Sequence, residues 1–287
     1  DAAFAAEGPQ GSTCAGCYVS GRPLYRSLGL PVHVLSDLVT DGESGRAAAL
    51  ASTIAAGEIS SYGLDGLNIG EHALAGALRF YARGTLQDPA SEAVLRRYFE
   101  AGLLTAFATE RLVNTTNIAT ACFNHGIYIP HGVIGDVLRK RHVRVANWNP
   151  AYRKQTFIFS HGDTYHHTLM DEPVTEWEGL SWTPERETEL MAYLHSRWQG
   201  SQDWITFNAN PEESRDAIAR MLNIDFQKPT VGLLTNVIWD AQLHYRANAF
   251  PNMMDWLIRT IAYFDRRRDL QLVIRVHPAE VTGAVPS

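Results

Sequence analysis

Two short apolar runs constrain this chain more than anything else in it: residues 230–235 (TVGLLT) and 270–275 (LQLVIR). Between them, over residues 252–265, Met253, Trp256, Leu257, Ile261 and Phe264 recur at helical spacing and form one apolar stripe. Strand, amphipathic helix and strand in that order make a βαβ unit with parallel strands. The second run continues into Val276-His277-Pro278-Ala279-Glu280. Open parallel sheets bind ligands at the carboxyl edge of their strands, so the unit delivers Arg275, His277 and Glu280 to that edge. Arg275 and His277 fall on the same side of an extended segment. Arginine offers a planar donor fork for phosphate oxygens, and histidine exchanges a proton near neutral pH. The group reads as an anion site. An ion pair between Arg275 and Glu280 at a strand end is the structural alternative.

Strands alternate with helices along most of the chain, which predicts parallel α/β architecture. Residues 30–35 read as a short buried strand. Residues 43–56, 70–83 and 91–112 read as helices, the last with Val94, Leu95, Tyr98, Leu103 and Phe107 near a three-to-four spacing. Strands are expected at 118–123, 144–148 and 156–160, and helices at 131–141, 184–198 and 211–222. The last of these helices is expected to start from an Asn210 cap with Pro211 in its first turn. Lys228-Pro229 marks a boundary, which divides the chain into residues 1–180, a helical stretch 181–228, and 229–287.

Composition sets limits. The chain has 287 residues, 45% of them hydrophobic, enough for a sizeable core. A net charge of -6 argues against a general nucleic-acid or membrane-surface binder, since both need a basic face. No apolar stretch reaches the roughly 20 residues that span a bilayer. The opening DAAFAAEGPQGSTCAG lacks a basic segment followed by an apolar one, so no secretory leader is expected. Three cysteines make no disulfide framework and point to a reducing, cytoplasmic setting.

Three expected strands end alike: 118–123 is followed by Asn124-His125-Gly126, 156–160 by His161-Gly162-Asp163-Thr164, and 270–275 by Val276-His277-Pro278. In one parallel sheet these histidines gather along one edge. His125 and His131 flank the loop into the helix at 131 and are candidate bases toward a hydroxyl; a hydrogen-bonded loop residue is the plainer role for His125. His161 and Asp163 are candidate substrate contacts. Asn236, in the Thr-Asn turn after 230–235, is a candidate phosphate or sugar contact, or simply part of a capped turn. HGDTYHH is dense in ligands but lacks a second ligand group, so no metal is expected. Cys14-Ala15-Gly16-Cys17 would need a helix behind it for redox use, and YVSGRP does not read as that helix.

Residues 229–280 (TVGLLTNVIWDAQLHYRANAFPNMMDWLIRTIAYFDRRRDLQLVIRVHPAE in their bulk) resemble the start of the carboxyl-terminal domain of bacterial capsule and surface-polysaccharide glycosyltransferases of the GT-B fold. Residues 118–160 are similar to the later part of the amino-terminal domain of those enzymes. In related bacterial sialyltransferases and capsule Kdo transferases a His-Pro motif at such a strand end meets the phosphate of the nucleotide sugar. That resemblance implies donor contacts at His277 and Pro278, with Arg275 and Glu280 in support; Asn236 as a further donor contact and His125 or His131 as base come from the reading of the residues above.

What the resemblance implies, then, is a GT-B-like α/β protein with two Rossmann-like domains, the second incomplete in this chain. Its partners would be a nucleotide-sugar donor and a glycan or lipid-linked glycan acceptor. No cofactor and no metal are expected, and at most peripheral membrane association. Two other readings stay open: a UDP-sugar epimerase or polyol-phosphate transferase on the same fold, and a non-catalytic sugar-nucleotide-binding protein.

Overall fold

A computed structural model describes residues 12–171, 173–203, 211–244 and 248–281. By packing, the chain divides into two units. Among the described residues, the first holds 12–121 and 126–145, and the second 122–125, 146–171, 173–203, 211–244 and 248–281. The protein is mixed α/β.

The first unit is helical. Helix α1 (Ser12–Ser27) comes first, so the stretch around Cys14 and Cys17, expected to be irregular, is helical in its backbone. Residues 30–34 form no strand, against expectation; a 3-10 turn follows at Leu35–Leu38. Its few apolar residues offer neither a partner strand nor a second face to bury. Helix α2 (Asp41–Thr53) starts from a capping box between Thr40 and Glu43. Short α3 (Ala56–Ile59) leads to α4 (Ile69–Tyr81), and long α5 (Pro89–Thr115) starts from an Asp88 cap with Pro89 at its first position.

The core of this unit is built on small residues at helix crossings. Ala73, Ala77, Leu95, Phe99, Leu103 and Ala106 are buried where α4 meets α5. A Cβ at Gly76 would lie 2.6 Å from the Tyr98 ring, and one at Gly102 2.9 Å from Ile69. Only bare backbone permits that approach, and Phe99 fills the space so made, edge-on to Tyr62 at 5.0 Å. Arg96 binds the carbonyls of Ala51 and Ile54 at the end of α2, and Arg111 joins Glu43 and the Leu38 carbonyl.

Helix α6 (His131–Lys140) docks on α5 and brings one buried ion pair with it. His72 Nε2 lies 3.2 Å from Asp136 Oδ2, and His72 Nδ1 lies 2.8 Å from the Ile127 carbonyl. Asp136 also accepts from the Asn68 N–H and pairs with Arg139. Burial opposes charge on both groups, but the pairing outweighs it. The Asp136 carboxyl is held at about 2, and the His72 imidazole is raised above its ordinary value.

The second unit carries the sheets. The last residues of β1 (Thr120–Asn124) belong to it, with β2 (Arg144–Pro150) from Ala146 on and β3 (Phe157–His161), in spatial order β1-β2-β3. β2 and β3 are antiparallel, with Trp148 opposite Phe159 and Ala146 opposite His161. The expectation of parallel strands throughout fails here for a simple reason. Only residues 151–156 separate the two strands, too few for the dozen or more that a parallel crossover needs.

Helices α7 (Tyr165–Asp171), α8 (Thr175–Glu178), α9 (Pro184–Gln199) and α10 (Arg215–Leu222) follow. The α10 cap is Ser214, so the helix starts after the expected Pro211; the expected cap Asn210 lies outside the described residues. The βαβ unit is present as expected. β4 (Thr230–Leu234) and β5 (Gln271–Arg275) pair in parallel, Leu234 opposite Arg275, on either side of α11 (Met253–Asp265). Asn252 caps α11 by accepting from the Asp255 N–H. The short α12 (Pro278–Val281) closes the described chain. Among the described residues no helix is long and apolar enough to cross a membrane.

Candidate functional site

Two features of the second unit gather polar groups: the carboxyl ends of β4 and β5, and a histidine cluster beside β3.

At the strand ends, backbone and side chain are knitted together. The Thr235 N–H donates to the Arg275 carbonyl at 3.1 Å, and Thr235 Oγ1 accepts from the His277 N–H at 2.9 Å. Glu280 Oε1 accepts from the Ile238 N–H at 2.7 Å, so it braces the loop after β4. His277 Nδ1 accepts from the Ala279 N–H at 3.2 Å. A neutral ring that accepts at Nδ1 carries its proton on Nε2, which makes that atom a donor. His277 is half-buried and Arg275 is exposed.

Beside these ends lies a cavity of about 350 Å³ between the loop after β4 and the amino end of α11. Asn236, Asp240, Asn248, Asn252, Phe250 and Trp256 are among the residues that line it. Asn236 thus stands where a ligand contact was expected. Arg275, His277 and Glu280 stand outside the described lining.

The histidine cluster draws on the turn after β1, the first turn of α7 and a 3-10 turn at Gln242–His244. His125 follows β1 with φ +64°, in the left-handed region that a residue with a Cβ seldom enters. Its N–H donates to the Trp148 carbonyl. Its ring stacks on His166 at 5.7 Å and 12°, and Tyr165 lies 4.0 Å from His166. His167 Nδ1 lies 2.9 Å from Asp163 Oδ2, and the His167 ring is 5.6 Å from buried His244. Asp163 therefore orients His167. His161 ends β3 and is exposed, opposite Ala146. His131 opens α6 in the other unit.

The three expected strand-end histidines do not share one parallel edge. β3 runs against β2, and β5 belongs to a separate sheet. What returns to His125 is His166, through the turn after β3. The sequence offered a signal for it, since HGDTYHH places two histidines one turn beyond a strand. His244 gave none, because a single histidine in a long loop has no pattern.

His166 is 4% exposed and its imidazole is pushed down to about 4. Burial is the main cause, the neighbouring His125 and His167 add to it, and the Asp240 carboxylate works against it. His166 is thus neutral at pH 7, able to accept or donate through a hydrogen bond but not to act as a cation. Imidazole NMR should show one histidine that stays neutral down to about pH 4 and that disappears from the spectrum in His166→Gln. A lowest midpoint near the ordinary histidine value would contradict this placement.

The hairpin beneath the cluster is unusual in its faces. Asn147, Asn149 and Ser160 are buried, whereas Phe157 and Phe159 are 55% and 59% exposed. Both side-chain polar atoms of Asn147, the Asn149 Nδ2 and the Thr164 Oγ1 have no hydrogen-bond partner among the described residues. Each unmet buried polar group costs about 1–3 kcal/mol. A polar interior and an aromatic exterior reverse the usual order of a half-buried sheet.

No group of three or more histidine, cysteine or carboxylate side chains suited to a metal occurs among the described residues. Comparison with known protein families, with curated protein sequences and with solved structures finds no match.

Proposed function

We propose that this chain is a nucleotide-sugar-dependent glycosyltransferase of GT-B-like architecture, acting in the cytoplasm on a surface or capsular polysaccharide or another glycan acceptor. The observation that carries the reading is the cavity at the carboxyl edge of the parallel β4–α11–β5 unit, lined by apolar and carboxamide side chains, next to the knitted Thr235, His277 and Glu280. Parallel α/β sheets hold their ligands at this edge. A donor's phosphate would meet His277 Nε2–H and the Arg275 guanidinium, and the rest of the donor would enter the cavity beside Asn236.

In the reaction the acceptor hydroxyl oxygen bonds to the anomeric carbon and the bond from that carbon to the donor phosphate oxygen breaks. The acceptor proton passes to a base, for which His125 is the first candidate and His131 the second. The phosphate leaves with its negative charge, which positioned donors stabilise. The strained backbone of His125 supports its role, because strain of this kind concentrates where a side chain must be aimed.

Calorimetric titration with UDP-, GDP- and CMP-sugars tests the reading. In His277→Ala, donor affinity is expected to fall roughly 10- to 100-fold, the worth of one hydrogen bond to a charged group. In His125→Ala, turnover falls and donor affinity does not. Equal donor affinity in the native protein and His277→Ala would defeat the assignment. Conversion of the sugar nucleotide without any acceptor would point instead to an epimerase.

A further inference from the structure

The cavity beside β4 has a chemical character of its own. Its described lining contains no lysine or arginine. Asn236, Gln242, Asn248 and Asn252 supply carboxamides, Phe250 and Trp256 supply ring faces, and Asp240 is its one carboxylate. Arg275 and His277 stand at the end of β5 instead, outside this lining. A carboxamide both donates and accepts, as a sugar hydroxyl does. A carboxylate accepts from hydroxyls and repels a second carboxylate. Aromatic faces suit the C–H side of a pyranose, where apolar contact is wanted without a charged partner.

From this we infer that the cavity holds the sugar of the donor rather than its phosphates or base, and that it selects a neutral sugar against an acidic one through Asp240. The inference rests on the transferase reading for the word donor; the chemistry of the cavity stands apart from it. Its direction differs from the acidic sugars that the sialyltransferase and Kdo-transferase resemblance brings to mind. Asp240 is placed to do this by the turn after β4, where Glu280 holds the Ile238 N–H two residues away. Asn248 is held by a bond from its Nδ2 to the Gln242 carbonyl at 3.1 Å, which aims its carboxamide across the same wall.

The test compares probes that differ in a single group. UDP-glucose is set against UDP-glucuronate, and GDP-mannose against GDP-mannuronate, with UDP and GDP alone as controls. Methyl glucoside and methyl glucuronide are titrated separately at millimolar concentration. The neutral member of each pair is expected to bind at least tenfold more tightly. In Asp240→Asn, which keeps the side chain's shape, the difference should shrink to less than threefold, mainly because the acidic member gains. Asn248→Ala should weaken the neutral member and leave UDP or GDP unchanged.

Acidic members that bind as well as neutral ones, or CMP-linked acidic sugars that bind best, would overturn the inference while leaving the transferase reading intact. So would an equal loss of affinity for bare UDP or GDP in Asn248→Ala, since the cavity would then hold the base. If the methyl glycosides show the Asp240-dependent preference and no nucleotide sugar binds, the inference stands and the transferase reading falls. If no probe binds, both fall.

Discussion

Gly70→Ala should cost the first unit roughly 3 kcal/mol or more of stability, the upper end of what overpacking does and the range reserved for a named clash. A Cβ at this position would lie 1.7 Å from the Ile59 carbonyl oxygen and 2.9 Å from the Tyr62 nitrogen. Both are backbone atoms, so no side chain can swing aside. The Gly70 N–H also donates to the Tyr62 carbonyl at 2.9 Å, which ties the amino end of α4 to the turn after α3. Relief of the clash would break that bond and move Ile59 and Ile69, both fully buried. Urea unfolding followed by far-ultraviolet circular dichroism should place the variant's helical transition at clearly lower denaturant. Gly57→Ala is the control, because a Cβ there meets nothing within 4 Å. Equal midpoints for Gly70→Ala and the native chain would contradict the packing of α3 on α4.

The second large effect comes from the buried pair of His72 and Asp136. Removing one partner of such a pair leaves an uncompensated buried charge, which costs about 3–5 kcal/mol. Its dependence on pH follows from the two directions of shift. Asp136 is held at about 2, below its ordinary 3.8, so its contribution is complete above that ordinary value and is lost as pH falls through about 2. His72 is raised above 6.5, so its contribution is complete below 6.5 and is lost as pH rises through the raised value. The pair therefore stabilises most between about pH 4 and 6.5. Urea midpoints at pH 3, 5.5 and 9 should peak at 5.5 in the native chain. In Asp136→Asn the 5.5 value should drop and the fall toward pH 9 should flatten, because His72 then loses the carboxylate that does most to hold its proton. An unchanged slope above pH 6.5 would remove His72 from this account.

Gly132 shows how tightly this pair is enclosed. A Cβ on Gly132 would lie 2.2 Å from His72 Nδ1. Nothing in the spacing of the sequence marks His72 or Asp136 as partners, since sixty-four positions separate them. Such a contact is a product of helix packing, and periodicity carries no information about it.

Local order was more readable. Apolar alternation and stripe placed β4, α11 and β5 within one residue, because a βαβ unit is specified by short-range pattern and by its own caps. The position of Asn236 just past β4 is legible for the same reason, and it lines the cavity there. The β2–β3 hairpin was read correctly as two strands and wrongly as parallel, although the length of its linker already decided the matter. Glu280 Oε1 also accepts from the Ile238 N–H, a hydrogen bond that depends on where a loop comes to rest and that no spacing in the sequence announces. Apolar alternation does not reveal Asn147 and Asn149, because of the three buried positions of β2 only Val145 is apolar.

The reversed hairpin has a consequence for how its strands stay aligned. In most sheets a slip of one residue is forbidden because it would carry the apolar set into water. Here the same slip would carry Phe157 and Phe159 inward and turn Ser160 outward, which hydrophobicity alone would favour. Alignment therefore falls to the connection between the strands, where the Ala151 N–H meets the Thr156 carbonyl and Thr156 returns two bonds to the Arg153 carbonyl. β3 is also the outermost strand of its sheet. An outer strand with bare phenylalanines invites pairing with another chain, a liability that grows with protein concentration.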